Sequence, residues 1–102
     1  MSEEVQDQAR DHDLRKRISD AQAAYETLQS EYVQHALERV EAKSMVAWQQ
    51  SSFNDTDGRE DCYRMVRATH ELKQELQRMV NDGKVARSEL EKREKRKQTG
   101  GS

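Results

Sequence analysis

Two apolar stripes run along this chain at helical spacing, and they match when one of them is read backwards. Ile18, Ala21, Tyr25, Leu28, Tyr32, His35 and Met45 lie on the first. Cys62, Leu72, Leu76, Met79, Gly83, Ala86 and Leu90 lie on the second. Steps of three and four residues keep each stripe on one face of a helix. Paired in opposite directions, Ile18 meets Leu90, Ala21 meets Ala86, Tyr25 meets Gly83 and Leu28 meets Met79. Tyr32 then meets Leu76, His35 meets Leu72 and Met45 meets Cys62. Facing positions carry numbers that add up to 107 or 108. The pattern predicts an all-α chain folded as a long antiparallel helical hairpin, coiled-coil-like in its packing.

The boundaries follow from the interruptions. Residues 1–11 hold Glu3, Glu4, Asp7 and Asp11 with almost nothing apolar, and are expected to be a flexible acidic N-terminus. A first helix is expected over 12–50. After Tyr32 its stripe slips by one residue to Val33, Leu37, Val40, Ser44 and Ala47. A straight helix drifts against a heptad in this way. Residues 51–57 are turn formers almost throughout, and Asp57 with Glu60 resembles a capping box. Phe53, inside the turn, is expected to fold back on Trp48, Tyr63 or Val66.

The second helix is expected over 58–97, with a weak point at Gly83. The run Asn81-Asp82-Gly83 reads locally as a helix stop, so the helix either continues or breaks there into a short C-terminal helix. Persistence of the heptad through Ala86 and Leu90 favours continuation. Residues 98–102 are expected to be a flexible tail, native or left over from cloning.

Composition sharpens this. Of 102 residues, 37% are charged and only 32% belong to the hydrophobic set, yet the net charge is only −2. Acids and bases interleave, as on solvated helix faces. So sparse an apolar set does not build a compact core, and a two-helix object of this kind leans on a partner. No proline interrupts the helices. No apolar run of about 18 residues suggests a membrane span. The polar, acidic N-terminus is unlike a signal peptide. A cytoplasmic or virion location is expected.

Catalytic and cofactor chemistry find little purchase. His70-Glu71 begins a zinc-protease motif, but position 74 is glutamine. Cys62 and His70 lie too far apart along one helix to share a metal. Reading Asp55-Thr56-Asp57-Gly58 as a calcium loop puts Phe53 and Arg64 where carboxylates are required. No nucleophile–base pair or phosphate-cradling loop is present. The expectation is a non-enzyme with no cofactor, no metal and no small-molecule substrate. His35 is expected to be a boundary residue with a wet ring edge; a buried pH switch is the alternative.

Two features remain. Lys92, Arg93, Lys95, Arg96 and Lys97 form a basic cluster that could bind nucleic acid through phosphates. No aromatic platform accompanies it, and the hairpin would set it beside Asp7, Asp11 and Asp13, so local charge pairing is the favoured reading. The other feature is surplus apolar surface near the turn. Val33, Leu37, Val40, Trp48, Phe53, Tyr63 and Val66 exceed what one seam can cover. They are the candidate residues for binding a protein partner, either a second copy or a larger assembly. Burying roughly 300 Å² there would contribute about 7 kcal/mol before association entropy is subtracted.

The turn and second helix also carry a resemblance. Trp48, Phe53, Asp55, Asp57, Arg59-Glu60 and Tyr63, then Leu72, Leu76 and Gly83-Lys84 through Ala86 to Leu90, resemble small all-helical proteins of tailed bacteriophages. The likeness spans about residues 14–90. It implies a small virion or assembly-associated protein, ordered by its neighbours, with no catalytic residues to carry over.

Overall fold

The computed structural model describes residues 2–100. Among them every regular element is a helix: α1 (Glu3–Gln29), α2 (Glu31–Gln50) and α3 (Thr56–Gly100). The chain forms two compact units. Unit 1 comprises residues 1–26 and 76–102, and unit 2 comprises residues 27–75. The long helix α3 contributes to both.

Several expected boundaries are corrected. The acidic stretch 1–11 is helical from Glu3, with Glu3 and Glu4 in the first turn, where the helix dipole favours negative charge. The expected helix 12–50 is two helices separated at Ser30. This residue has extended backbone, and its hydroxyl accepts from the Val33 N–H at 3.4 Å, which makes it the N-cap of α2. The Gln34 side-chain amide donates to the Leu28 carbonyl at 2.8 Å, filling a bond that the end of α1 leaves open. The slip of the apolar stripe after Tyr32 is therefore a reset of helical phase at Ser30 rather than drift. Helix α3 is unbroken through Gly83, so no separate short helix forms there. Of the expected tail 98–102, positions 98–100 belong to α3; the last two positions lie outside the described residues.

Unit 1 pairs α1 with the C-terminal part of α3, and the chains run in opposite directions. Arg10 grips Glu89 through Nε and Nη2, at 3.2 and 2.6 Å. Arg17 grips Asp82 in the same forked manner, at 2.9 and 2.7 Å. Two planar guanidinium forks on α1, each matched to one carboxylate on α3, tolerate no slippage.

Beside the Arg17 fork the helices close on Gly83. A Cβ placed on Gly83 would overlap the Ala21 methyl, and the Arg17 carbonyl oxygen would lie 3.6 Å from it. Gly83 thus faces Ala21, not Tyr25 as the stripe arithmetic has it. Close approach selects small against small, whereas a bulky ring beside a glycine leaves the backbones apart; Tyr25 stays half exposed. Leu14, Ala21, Ala24, Val80 and Ala86 form the buried apolar set, and all five belong to unit 1.

Unit 2 holds the end of α1, helix α2, the turn and the N-terminal part of α3. Its buried residues are Ser44 and Thr69. Both hydroxyls are spent on their own helix, Ser44 on the Val40 carbonyl and Thr69 on the Val66 carbonyl. Glu41 meets His70 at 3.3 Å across the pair. Tyr32, expected on the seam, is exposed because the phase reset turns it outward, and His35 is exposed, as a boundary residue with a wet ring edge would be.

The Gly83 contact has a direct test. Gly83→Leu is expected to lower the stability of the chain by about 1–3 kcal/mol, because the new side chain has no room against Ala21. Exchanging the two residues, Ala21→Gly with Gly83→Ala, keeps the summed volume and one glycine within the helices. It should lie within about 1 kcal/mol of the parent. Thermal unfolding followed by circular dichroism reads both.

Candidate functional site

The turn that joins α2 to α3 is held by its own polar side chains. Ser51 ends α2, its N–H and its hydroxyl both donating to the Trp48 carbonyl, at 3.2 and 2.6 Å. The Ser52 carbonyl accepts from the Asp55 N–H at 2.9 Å. Asp55, and not Asp57, caps α3: its carboxylate accepts from the Gly58 N–H at 3.0 Å. The helix starts two residues before the expected position, so Asp57 falls in the first turn and Glu60 turns to Arg64 at 3.2 Å. A side chain at Gly58 would run into the capping carboxylate, which explains glycine there without any metal loop.

This frame positions a shallow apolar groove of about 220 Å³ lined by Ser44, Met45, Trp48, Cys62, Tyr63 and Val66. Met45 and Cys62, placed opposite one another by the stripe pairing, both belong to it. The Arg59 guanidinium lies over the Trp48 ring, 4.5 Å from its centre, and holds the indole on one side. Trp48 and Tyr63 keep 41% and 64% of their surface exposed. Phe53 does not fold back. It is 88% exposed, and it lines a wider, open hollow with Trp48, Arg59 and Tyr63. The five-residue turn that carries it is clamped by serine and aspartate bonds.

The candidate partner-binding residues do not form one patch. Trp48, Tyr63 and Val66 share the groove, and Phe53 adjoins it. Val33 and Leu37 are half-buried and line a different hollow, together with Leu28 and Lys73. Val40 is exposed and belongs to neither. Helical spacing explains the division, because Leu37 and Trp48 sit on the inner face of α2 while Val40 sits on its flank. Sequence reasoning overlooked Arg59, which lies over Trp48 beside the groove. The signal was available in the placement of Arg59 near the start of α3, close to the tryptophan that ends α2.

The basic cluster belongs to unit 1. Arg93 donates to Asp11 at 2.8 Å and to Asp7 at 3.2 Å, and Lys97 also bonds Asp11. Glu94 lies 3.6 Å from Arg15. Asp13, expected beside the cluster, instead bonds Arg10 and approaches Arg17 in its own helix. Lys92, Lys95 and Arg96 are exposed. The Asp11 carboxyl is held below its ordinary range by the hydrogen bonds from Lys97 and Arg93, and the Asp82 carboxyl by the bond from Arg17.

Among the described residues, no group of three or more histidine, cysteine, aspartate or glutamate side chains converges as metal ligands would. Nor is any described helix long and apolar enough to cross a membrane. Cys62 is a free, half-buried thiol. Compared with family models, curated proteins and solved structures, the chain has no significant match.

The lowered Asp11 and Asp82 carboxyls make stability depend on pH. Both titrate lower in the folded chain than in the unfolded one. Their contribution is complete above the unfolded value of about 3.9 and disappears as pH falls through the depressed folded values. The melting temperature is expected to fall as pH is taken below about 4. The double variant Asp11→Asn with Asp82→Asn should melt lower at pH 7 and show a shallower acid slope. Melting curves across an acid series measure both; an unchanged slope would deny these ion pairs a role.

Proposed function

We propose that this chain is a non-enzymatic structural or interaction protein whose helical hairpin self-associates, or docks onto a larger assembly, through the apolar groove beside the turn. The observation that carries this is the state of Trp48, Phe53 and Tyr63. Three aromatic rings, large and costly to leave wet, stand substantially exposed, Trp48 and Tyr63 in the groove and Phe53 in the hollow beside it. Aromatic residues in such clusters supply the dominant contacts of protein interfaces. The clamped turn presents them in a fixed arrangement, so little ordering entropy is lost on docking.

The resemblance to small helical proteins of tailed bacteriophages makes a virion the natural form of the larger assembly. In that setting a thin core suffices, because neighbours complete the burial. The nucleic-acid alternative draws less support. Arg93 and Lys97 are engaged by Asp7 and Asp11, which leaves Lys92, Lys95 and Arg96 to contact phosphates.

Light scattering across a dilution series tests the reading, on the parent and on Trp48→Ala and Leu37→Ala. Concentration-dependent mass, with a melting temperature that falls on dilution, is the expected behaviour. Trp48→Ala should weaken association by roughly tenfold or more, as loss of an aromatic anchor does. Leu37→Ala, outside the groove, should act mainly on stability. A stable monomer whose melting temperature ignores both dilution and Trp48→Ala would count against self-association. Cross-linking mass spectrometry in extract would then report whether a different protein occupies the groove.

A further inference from the structure

The two flanks of unit 1 differ. On one, the Arg10–Glu89 and Arg17–Asp82 forks tie α1 to α3. The other is open at Gly83, where a hollow of about 250 Å³ lies between the helices. Ile18, Ala21, Gln22 and Tyr25 line it from α1. Val80, Gly83, Lys84 and Arg87 line it from α3. Each set is spaced i, i+3, i+4, i+7, so the hollow is a groove running along two turns of both helices. Small residues create it. Ala21 and Gly83 give the floor no bulk, and Tyr25 stands at the edge with 49% of its surface exposed.

Charge and backbone chemistry indicate what fits. No carboxylate lines the groove. Glu26, beside it on α1, accepts from the Gln22 amide at 3.2 Å. Glu94, farther along α3, faces Arg15 at 3.6 Å. Among the described residues Lys84 and Arg87 pair with no acid, although Glu91 stands one turn past Arg87. Arg10, Arg15, Arg17, Arg93 and Lys97 of the same unit each hold one. A partner that covered Lys84 and Arg87 without supplying carboxylates would remove their water and leave both charges unmatched. An extended segment fits poorly for a second reason. Its backbone N–H and C=O groups would face Ile18, Tyr25 and Val80 unpaired, whereas a helix bonds its own.

We propose that this groove seats an acidic amphipathic helix of a partner protein. Apolar side chains one turn apart fill the space over Ala21 and Gly83, and two carboxylates three or four residues apart meet Lys84 and Arg87. The site is separate from the Trp48 groove, which belongs to unit 2, and does not depend on the role given to that groove.

A displayed library of amphipathic helices, its polar positions free to be acidic, basic or neutral, is selected against the full chain. Winning helices are expected to carry two acids three or four residues apart beside the apolar stripe. Lys84→Glu with Arg87→Glu should weaken a winning peptide by roughly a hundredfold. The same peptide with both acids changed to lysine should bind that variant and not the parent. Both positions are exposed, so circular dichroism should show the helix content of the parent. Should the variant lose helix, Lys84→Gln with Arg87→Gln replaces it, with a loss of roughly tenfold or more. Winners without acids, winners indifferent to these variants, or a library without winners overturn the proposal. Winners lost in Trp48→Ala but kept in Lys84→Glu with Arg87→Glu overturn it and leave the groove beside the turn standing. Sedimentation equilibrium and duplex DNA are the remaining checks. An oligomer of the parent that Lys84→Glu with Arg87→Glu dissolves would put a second copy in the groove and overturn the proposal. So would duplex DNA that binds the parent more tightly than any winner and is lost in the same variant.

Discussion

Two helix backbones come close only where neither carries a bulky side chain, and in unit 1 that condition is met where Gly83 backs onto Ala21. The rest of the unit follows from this approach. With the backbones close, short residues such as Ala24, Val80 and Ala86 suffice to fill the space, and among the described residues Leu14 is the one large side chain fully buried. The arginine forks at Arg10 and Arg17 then reach Glu89 and Asp82 without stretching. A chain with few large apolar residues can hold two helices together in this way because the contact is narrow. Dispersion between closely packed small groups replaces burial of large ones.

Unit 2 solves the same problem differently, and incompletely. Its facing positions are filled by Ser44 and Thr69, whose hydroxyls are absorbed by their own helices and add nothing across the pair. Much of its aromatic surface stays exposed beside the turn, at Trp48, Phe53 and Tyr63. The polar devices of the turn add a second property. Ser51, Ser52 and Asp55 satisfy the backbone locally, so the loop stays ordered while its aromatic neighbours stay exposed.

Legibility in the sequence was uneven. That the chain is all helical was readable, because the stripes persist at steps of three and four and no proline opposes them. The turn was readable to within a few residues from its serine, asparagine and aspartate content. The break at Ser30 was not. A lone serine in a helical run is compatible with helix, and only the Gln34 amide on the Leu28 carbonyl and the cap on Val33 reveal that the helix ends there. The one-residue slip of the stripe was its trace, and it also fits ordinary drift. The candidate residues divided for the same reason: a phase reset moves every later side chain around the helix axis, and a list ordered by position does not show it.

By itself, then, the sequence determined the helical periodicity, the place of the turn and the shortage of large apolar side chains, all of which are local properties of residue order and type. Tertiary structure alone decided the register, the division of core between the two units and the cap of α3. Register is a choice among matches one helical turn apart, and apolar stripes score those alternatives almost equally. What separates them is whether a glycine meets an alanine and whether a guanidinium fork meets a carboxylate, and such contacts exist only once the helices lie against each other.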